Sequence, residues 1–250
     1  MIFDQASATN WGCVIRVLII GSGPNAVEAG SWDRELFDAI VVINNAWRVR
    51  KDWTHLIHPE DFPEERRPKV RGAGQTVVTA DDYVSVQNRF GGFLYAGGTM
   101  AFTAGYWALG ALKPSQMGFI GCDMVYPKTG HTHFYGTGEA DPLRADITLQ
   151  DLEAKSARLF FHAALAKCAC VNYSQASESR LVFPRSAPID VQAIAAFDPT
   201  LCQCALAAED ALGYMVEDGR YWLQETRYDA EALARIDGLW NAAWAAYPDK

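Results

Sequence analysis

The residues best placed to do chemistry begin at Gly21-Ser22-Gly23-Pro24-Asn25-Ala26. This G-x-G-x-x-A sequence directly follows the apolar run Val17-Leu18-Ile19-Ile20. A turn of this kind suits a phosphate. The first glycine turns the chain tightly, and the second lets the backbone approach the anion. The helix that follows then aims its first N–H groups and partial positive charge at the ligand. Gly21, Ser22, Gly23 and Asn25 are therefore expected to bind a nucleotide. The competing reading is a tight strand-to-helix turn that binds nothing. A dinucleotide site makes a further demand, an Asp or Glu near the end of the second strand, roughly 20 residues on. Here that strand ends in Ile43-Asn44-Asn45-Ala46, with no carboxylate. The Asn44 amide can still bond a ribose or a base through its N–H and its C=O. The site thus reads as nucleotide-like but unlike an ordinary NAD or FAD site.

A second set of candidates lies in Gly130-His131-Thr132-His133-Phe134-Tyr135, in a long loop past the strand Met117–Gly121 and Cys122-Asp123. Open α/β sheets bind ligands beyond the carboxyl ends of their strands, and loops there carry function. His131 and His133 are expected to act as a base or a phosphate contact. The H-x-H spacing also suits a metal, with Glu139 or Asp141 as third ligand, but that reading is the weaker. An ordinary solvated loop competes with both. His55 and His58 flank the short strand at Leu56-Ile57, so His58 would border the same cleft, although a structural histidine is the commoner outcome. Cys168 and Cys170 would share a strand face, whereas Cys202 and Cys204 on a helix would point apart. Both pairs are expected to be free thiols rather than zinc ligands. Arg66, Arg67, Lys69 and Arg71 form one basic cluster, preceded by Glu64-Glu65 and interrupted by Pro63 and Pro68. A solvated loop is expected there, with a phosphate or acidic-sugar contact as the alternative.

The elements that must position these residues are visible as apolar runs. Val17–Ile20, Ala39–Ile43 and Met117–Gly121 read as strands buried on both faces of a parallel sheet. Thr54–His58, Gln75–Thr79 and Cys168–Tyr173 read as further strands. A polar stretch of helical appearance follows the glycine turn, through Glu35 and Phe37. Gly97-Gly98-Thr99 opens a small-residue helix from Met100 to Leu112. An amphipathic helix is expected over Thr148–Ala166, with Thr148 as N-cap and Asp151 completing a capping box. After Pro188 the chain turns mostly helical and rich in Ala and Trp. The expected fold is α/β and Rossmann-like, a mostly parallel sheet with helices on both faces plus a C-terminal helical extension. Residues 1–187 would form the nucleotide-binding domain and residues 188–250 the extension packed on it.

The order of these motifs resembles the bacterial sialyltransferases that use CMP-sialic acid, and a broader group of related domains of unknown function, some implicated in pterin diphosphate transfer. The likeness rests on Gly21-Ser22-Gly23-Pro24-Asn25, Asn44, Gly97-Gly98-Thr99 with Ala108-Leu109-Gly110, and Ile120-Gly121-Cys122-Asp123-Met124-Val125-Tyr126. It spans roughly residues 15 to 185. By this resemblance Ser22, Asn25, Asn44, Gly98, Thr99 and Tyr126 would line the donor site, with Tyr135 a second phosphate partner. The family's catalytic-base histidine precedes the helix that corresponds to Thr148–Ala166. Here that stretch is Asp141-Pro142-Leu143-Arg144-Ala145-Asp146, with no histidine. The base would then be His131, His133, Asp141 or Asp146, or the protein does not transfer sialic acid.

Composition bounds the rest. With 250 residues, half of them hydrophobic, the chain can bury a large core. A net charge of −8 without a basic face argues against nucleic acid and anionic membranes as partners. No signal peptide or membrane span is read, and the six cysteines read as reduced, so a cytoplasmic location is expected. Trp222, Trp240 and Trp244 are expected to pack the extension or to form a homo-oligomer interface. The expected activity is a nucleotide-dependent, glycosyltransferase-like reaction. Its substrates would be a small-molecule nucleotide-sugar donor and a glycan acceptor, with no separate cofactor and no resident metal. Asp123, Tyr126, His131 and His133 would carry the chemistry. A dinucleotide-binding oxidoreductase and a non-catalytic member of the fold, binding a nucleotide, a glycan or only a protein partner, are the alternatives.

Overall fold

A computed structural model describes residues 15–126, 130–137 and 145–248. Six parallel strands form one sheet in the order β4-β3-β2-β1-β5-β6. They are β1 (Arg16–Ile20), β2 (Ala39–Ile43), β3 (His55–Ile57), β4 (Thr76–Val78), β5 (Gln116–Ile120) and β6 (Ala169–Asn172). The central strands have nearly every residue buried because both faces of the sheet are covered. β3 and β4 keep only three residues each, toward the edge.

The two faces are covered differently. Alternate residues such as Val17, Ile19, Val41, Met117 and Phe119 face α-helices. These are α1 (Ala80–Asn88), α2 (Phe93–Ala96), α3 (Met100–Trp107), α4 (Leu152–Leu165), α5 (Thr200–Leu212) and α6 (Ala230–Ala245). The opposite set, Leu18, Ile20, Ile40, Val42 and Ile120, packs against Phe37, Trp53 and the short 3-10 helices Pro24–Ser31 and Asn44–Arg48. The helix expected after the glycine turn is therefore a 3-10 helix. Gly30, inside this 3-10 helix, lets it approach the chain at Val49, where an added Cβ would stand 3.1 Å from the Val49 carbonyl. The small-residue helix is α-helical only to Trp107 and continues as a π turn to Leu112.

The helix expected at Thr148 begins later. Residues Ile147–Leu149 make a separate 3-10 turn capped by Asp146. Asp151 then caps α4 by accepting the Ala154 N–H at 2.9 Å. Thr148 is displaced from the cap because its hydroxyl is engaged elsewhere, as described below. After Pro188 the chain crosses the sheet edge as an extended strap, with Gln192 N–H donating to Gln116 Oε1 at 2.8 Å. Helix resumes only at Thr200. Among the described residues no helix is long and apolar enough to cross a membrane.

α5 and α6 pack on α4 and bury Trp240 completely. Two ion pairs sit inside this contact, Lys155–Asp237 at 2.7 Å and Arg158–Glu209 at 2.6 Å, with every side chain at most 4% exposed. Arg158 also donates to Tyr106 Oη and to the Phe90 carbonyl, while Trp240 Nε1 donates to Glu209. Burying charge this deep requires such partners. The Arg158–Glu209 pair has them on both sides, whereas Asp237 Oδ2 has none among the described residues.

Candidate functional site

The strand order reverses between β1 and β5, where open parallel sheets leave a crevice at their carboxyl edge. A cavity of about 240 Å³ lies there, lined in part by Gly23, Asn25, Gly121, Asp123, Tyr126 and Thr132. Three segments far apart in sequence thus meet: the turn after β1, the stretch after β5 with Thr132 of the loop beyond it, and residues 176–178 after β6. Phe134 N–H donates to the Ser22 carbonyl at 3.1 Å and ties the loop over the glycine turn.

Inside the crevice Asn25, Asp123 and Ser174 form a hydrogen-bonded triangle. Asn25 Nδ2 donates to Asp123 Oδ2 at 2.9 Å and lies 2.6 Å from Ser174 Oγ. Ser174 Oγ donates to the same carboxylate oxygen at 2.7 Å. One oxygen of Asp123 is therefore held by two donors. Its other oxygen, Oδ1, and the Asn25 Oδ1 are buried without a partner among the described residues. A buried acceptor left in this state calls for a donor from a ligand or water.

The glycine turn has a different basis from the one expected. Gly21 N–H donates to the Ile120 carbonyl and Gly23 N–H to the Gly121 carbonyl, each at 2.8 Å. A Cβ at Gly21 would lie 2.2 Å from Gly121 O, and one at Gly23 would lie 2.9 Å from it. Both glycines are thus required by the close approach of the β1 and β5 turns to each other. Their N–H groups are engaged within the protein and do not face a phosphate. No side chain caps the 3-10 helix that follows. The Ser22 hydroxyl points to the Ile43 carbonyl at 3.4 Å. Next to it, Asn44 takes a left-handed conformation, φ 51°, with its Oδ1 buried and unpartnered among the described residues.

Gly98 and Thr99 are drawn toward the same edge, again with internal roles. Gly98 N–H donates to Thr148 Oγ1 at 3.0 Å. Thr99 caps α3 through Phe102 N–H and lies 3.6 Å from Met124 Sδ, a lining residue of the cavity. Asp146 accepts from Thr148 N–H, Thr148 Oγ1 and Tyr221 Oη, so it anchors this corner and is not poised as a base.

The loop histidines separate. His131 is exposed, and neither it nor His133 lines the cavity itself. His133 is half-buried, its ring stacked on Tyr135 at 5.0 Å and 5.9 Å from that of Tyr126. Its Nδ1 lies 2.8 Å from Thr132 Oγ1. Burial lowers its pKa, which favours the neutral imidazole, the form that can accept a proton. Tyr135 is 40% exposed at the outer end of this stack. Glu139 and Asp141, the expected third metal ligands, lie outside the described residues, and no group of three or more His, Cys, Asp or Glu is assembled among the described ones. Cys168 and Cys170 are buried free thiols, while Cys202 is buried and Cys204 exposed, pointing apart.

The residue that sequence reasoning missed is Ser174. Its signal was its place just past the β6 strand, the same position relative to a strand that drew attention to Asn44 and Asp123. No family model, no curated protein and no solved structure matches this chain.

Proposed function

We propose that the chain binds a nucleotide-activated sugar of the CMP-sialic acid type in the β1/β5 crevice and transfers the sugar to an acceptor hydroxyl. One observation carries this reading. Asn25, from the turn after β1, and Asp123 and Tyr126, from the stretch after β5, line one cavity at the reversal of strand order, and two buried oxygens in it lack donors among the described residues. Sugar or ribose hydroxyls, or a base amine, supply such donors. In the transfer, the bond from the sugar to the phosphate oxygen breaks, and the nucleotide leaves with the electron pair. The acceptor oxygen bonds the sugar and loses its proton to Asp123 or to the neutral His133. Tyr126 and Thr132 supply hydroxyls for the departing phosphate.

A second reading, binding of a glycan or nucleotide without transfer, draws on the charge of the same cavity. Asp123 and Glu178 line it, and among the described residues no Lys or Arg does. That suits hydroxyl donors better than a phosphate bearing growing charge. A thermal-shift series tests both readings, because a ligand that binds only the folded state raises the melting temperature. CMP or a sugar nucleotide should stabilise the protein, and Asp123→Asn should weaken that effect. Stabilisation by NAD or FAD alone would overturn the proposal. Stabilisation by CMP without any transfer to glycan acceptors would favour the second reading.

A further inference from the structure

A larger groove lies along the same carboxyl edge but beyond β3 and β4, away from the glycine turn. Its volume is about 740 Å³, and His58, Arg67, Lys69, Arg71 and Thr79 line it together with Glu64 and Glu65. Ligand pockets commonly fall in the range of about 300–1,000 Å³. Three cations face two carboxylates, a positive excess in a chain whose net charge is −8. Lys69 and Arg71 form no ion pair among the described residues, and Arg67 bonds only the Phe62 carbonyl, through Nε at 3.1 Å and Nη2 at 2.6 Å. These charges are thus not neutralised by one another's neighbours.

His58 sets the character of the floor. Its side chain is only 3% exposed, yet it lines the groove. Nδ1 lies 2.8 Å from the Pro59 carbonyl, an acceptor, so Nδ1 carries the proton. Nε2 has no partner in the protein among the described residues and in the neutral ring accepts a hydrogen bond. Burial, together with the nearby Arg67, favours that neutral ring. The groove therefore combines anion-binding cations at its wall with a hydroxyl-accepting nitrogen at its floor.

We propose that this groove binds a small phosphorylated polyol, such as a sugar phosphate, with Lys69, Arg71 and Arg67 on the phosphate and His58 Nε2 on a hydroxyl. Guanidinium forks match phosphate oxygens in pairs, and the ammonium adds a mobile point charge. The site is separate from the crevice proposed for the nucleotide-activated sugar.

Isothermal titration at low ionic strength tests the assignment, with glucose 6-phosphate, inorganic phosphate and glucose as probes. Glucose 6-phosphate should bind more tightly than inorganic phosphate, and glucose alone should not bind measurably. The double variant Lys69→Ala with Arg71→Ala removes two exposed side chains without structural bonds, and should weaken glucose 6-phosphate by at least about tenfold. His58→Gln should bring the sugar phosphate down to the affinity of inorganic phosphate. Asp123→Asn should leave all three titrations unchanged, which separates this groove from the crevice. Absence of binding to the unaltered protein, equal binding by the double variant, or loss in Asp123→Asn would each overturn the proposal.

Discussion

Replacing Glu209 by alanine probes a deeply buried electrostatic commitment of the fold. Glu209 accepts from Arg158 Nε at 2.8 Å, from Arg158 Nη2 at 2.6 Å and from Trp240 Nε1 at 2.7 Å. Arg158 itself is 1% exposed and cannot turn to water. Removing the carboxylate leaves a buried guanidinium and a buried indole N–H without their acceptor. Breaking one side of a buried pair costs about 3–5 kcal/mol, because the remaining charge stays desolvated. Against a typical net stability of about 5–15 kcal/mol that is a large share. At about 2–4 °C per kcal/mol for a chain of this size, the melting temperature should fall by about 6–20 °C. Urea unfolding followed by circular dichroism measures the loss. The double replacement Glu209→Leu with Arg158→Met removes both charges and should be less destabilising than Glu209→Ala. A loss below about 1 kcal/mol for Glu209→Ala, or a double variant worse than the single, would refute the reasoning that desolvation of Arg158 dominates.

Other outcomes follow from the same structure. Gly118→Ala places a Cβ 1.9 Å from the Tyr173 ring and should destabilise by about 1–3 kcal/mol or more, read by urea unfolding. Gly21→Ala should destabilise similarly, because its Cβ would stand 2.2 Å from a backbone oxygen, and it should do so whether or not a nucleotide is present. His58, His133 and His162 all have lowered pKa values, burial being the first cause in each. The folded state holds them neutral while the unfolded chain binds their protons, so stability is full above about pH 6.5 and falls as the pH drops below it. The slope should approach about 1.4 kcal/mol per pH unit for His162, whose pKa lies well below the ordinary value, with smaller contributions from His58 and His133, measured by denaturant unfolding from pH 7.5 to 5. If the crevice transfers sugar, His133→Ala should lower turnover, because its ring stands 5.9 Å from that of the lining residue Tyr126, and His131→Ala, at an exposed position, should leave it nearly unchanged; equal losses in both would contradict this distinction.

Much of the frame was legible in the chain as letters. Val17–Ile20, Ala39–Ile43 and Met117–Ile120 are continuous apolar runs, and only strands covered on both faces tolerate such runs. The succession of strands and helices then implies a parallel sheet, and the carboxyl edge follows as the place for a site. The sequence also picked out Asn25 in the turn after the first strand, and the resemblance to the sialyltransferases picked out Asp123 and Tyr126 after the fifth. Helix ends were less legible. Thr148 resembles an N-cap, but its hydroxyl bonds Gly98 and Asp146 across space, and Asp151 takes the cap instead.

Three decisions belonged to the tertiary structure. The glycines at 21 and 23 read as a phosphate cradle, yet their small size serves the contact with Gly121 across the sheet, a distance no local pattern contains. Ser174 joined Asn25 and Asp123 only because β6 lies beside β5. Arg158 on α4 and Glu209 on α5 are charged residues far apart in the chain, and the packing of α4, α5 and α6 makes them a buried pair. The sequence by itself determines which segments are strands and which residues can hold a proton or a ligand, because side-chain type and period are local properties. Which of those residues meet, and which are consumed by the fold's own contacts, depends on close approach between distant segments, and that is set only when the whole chain has packed.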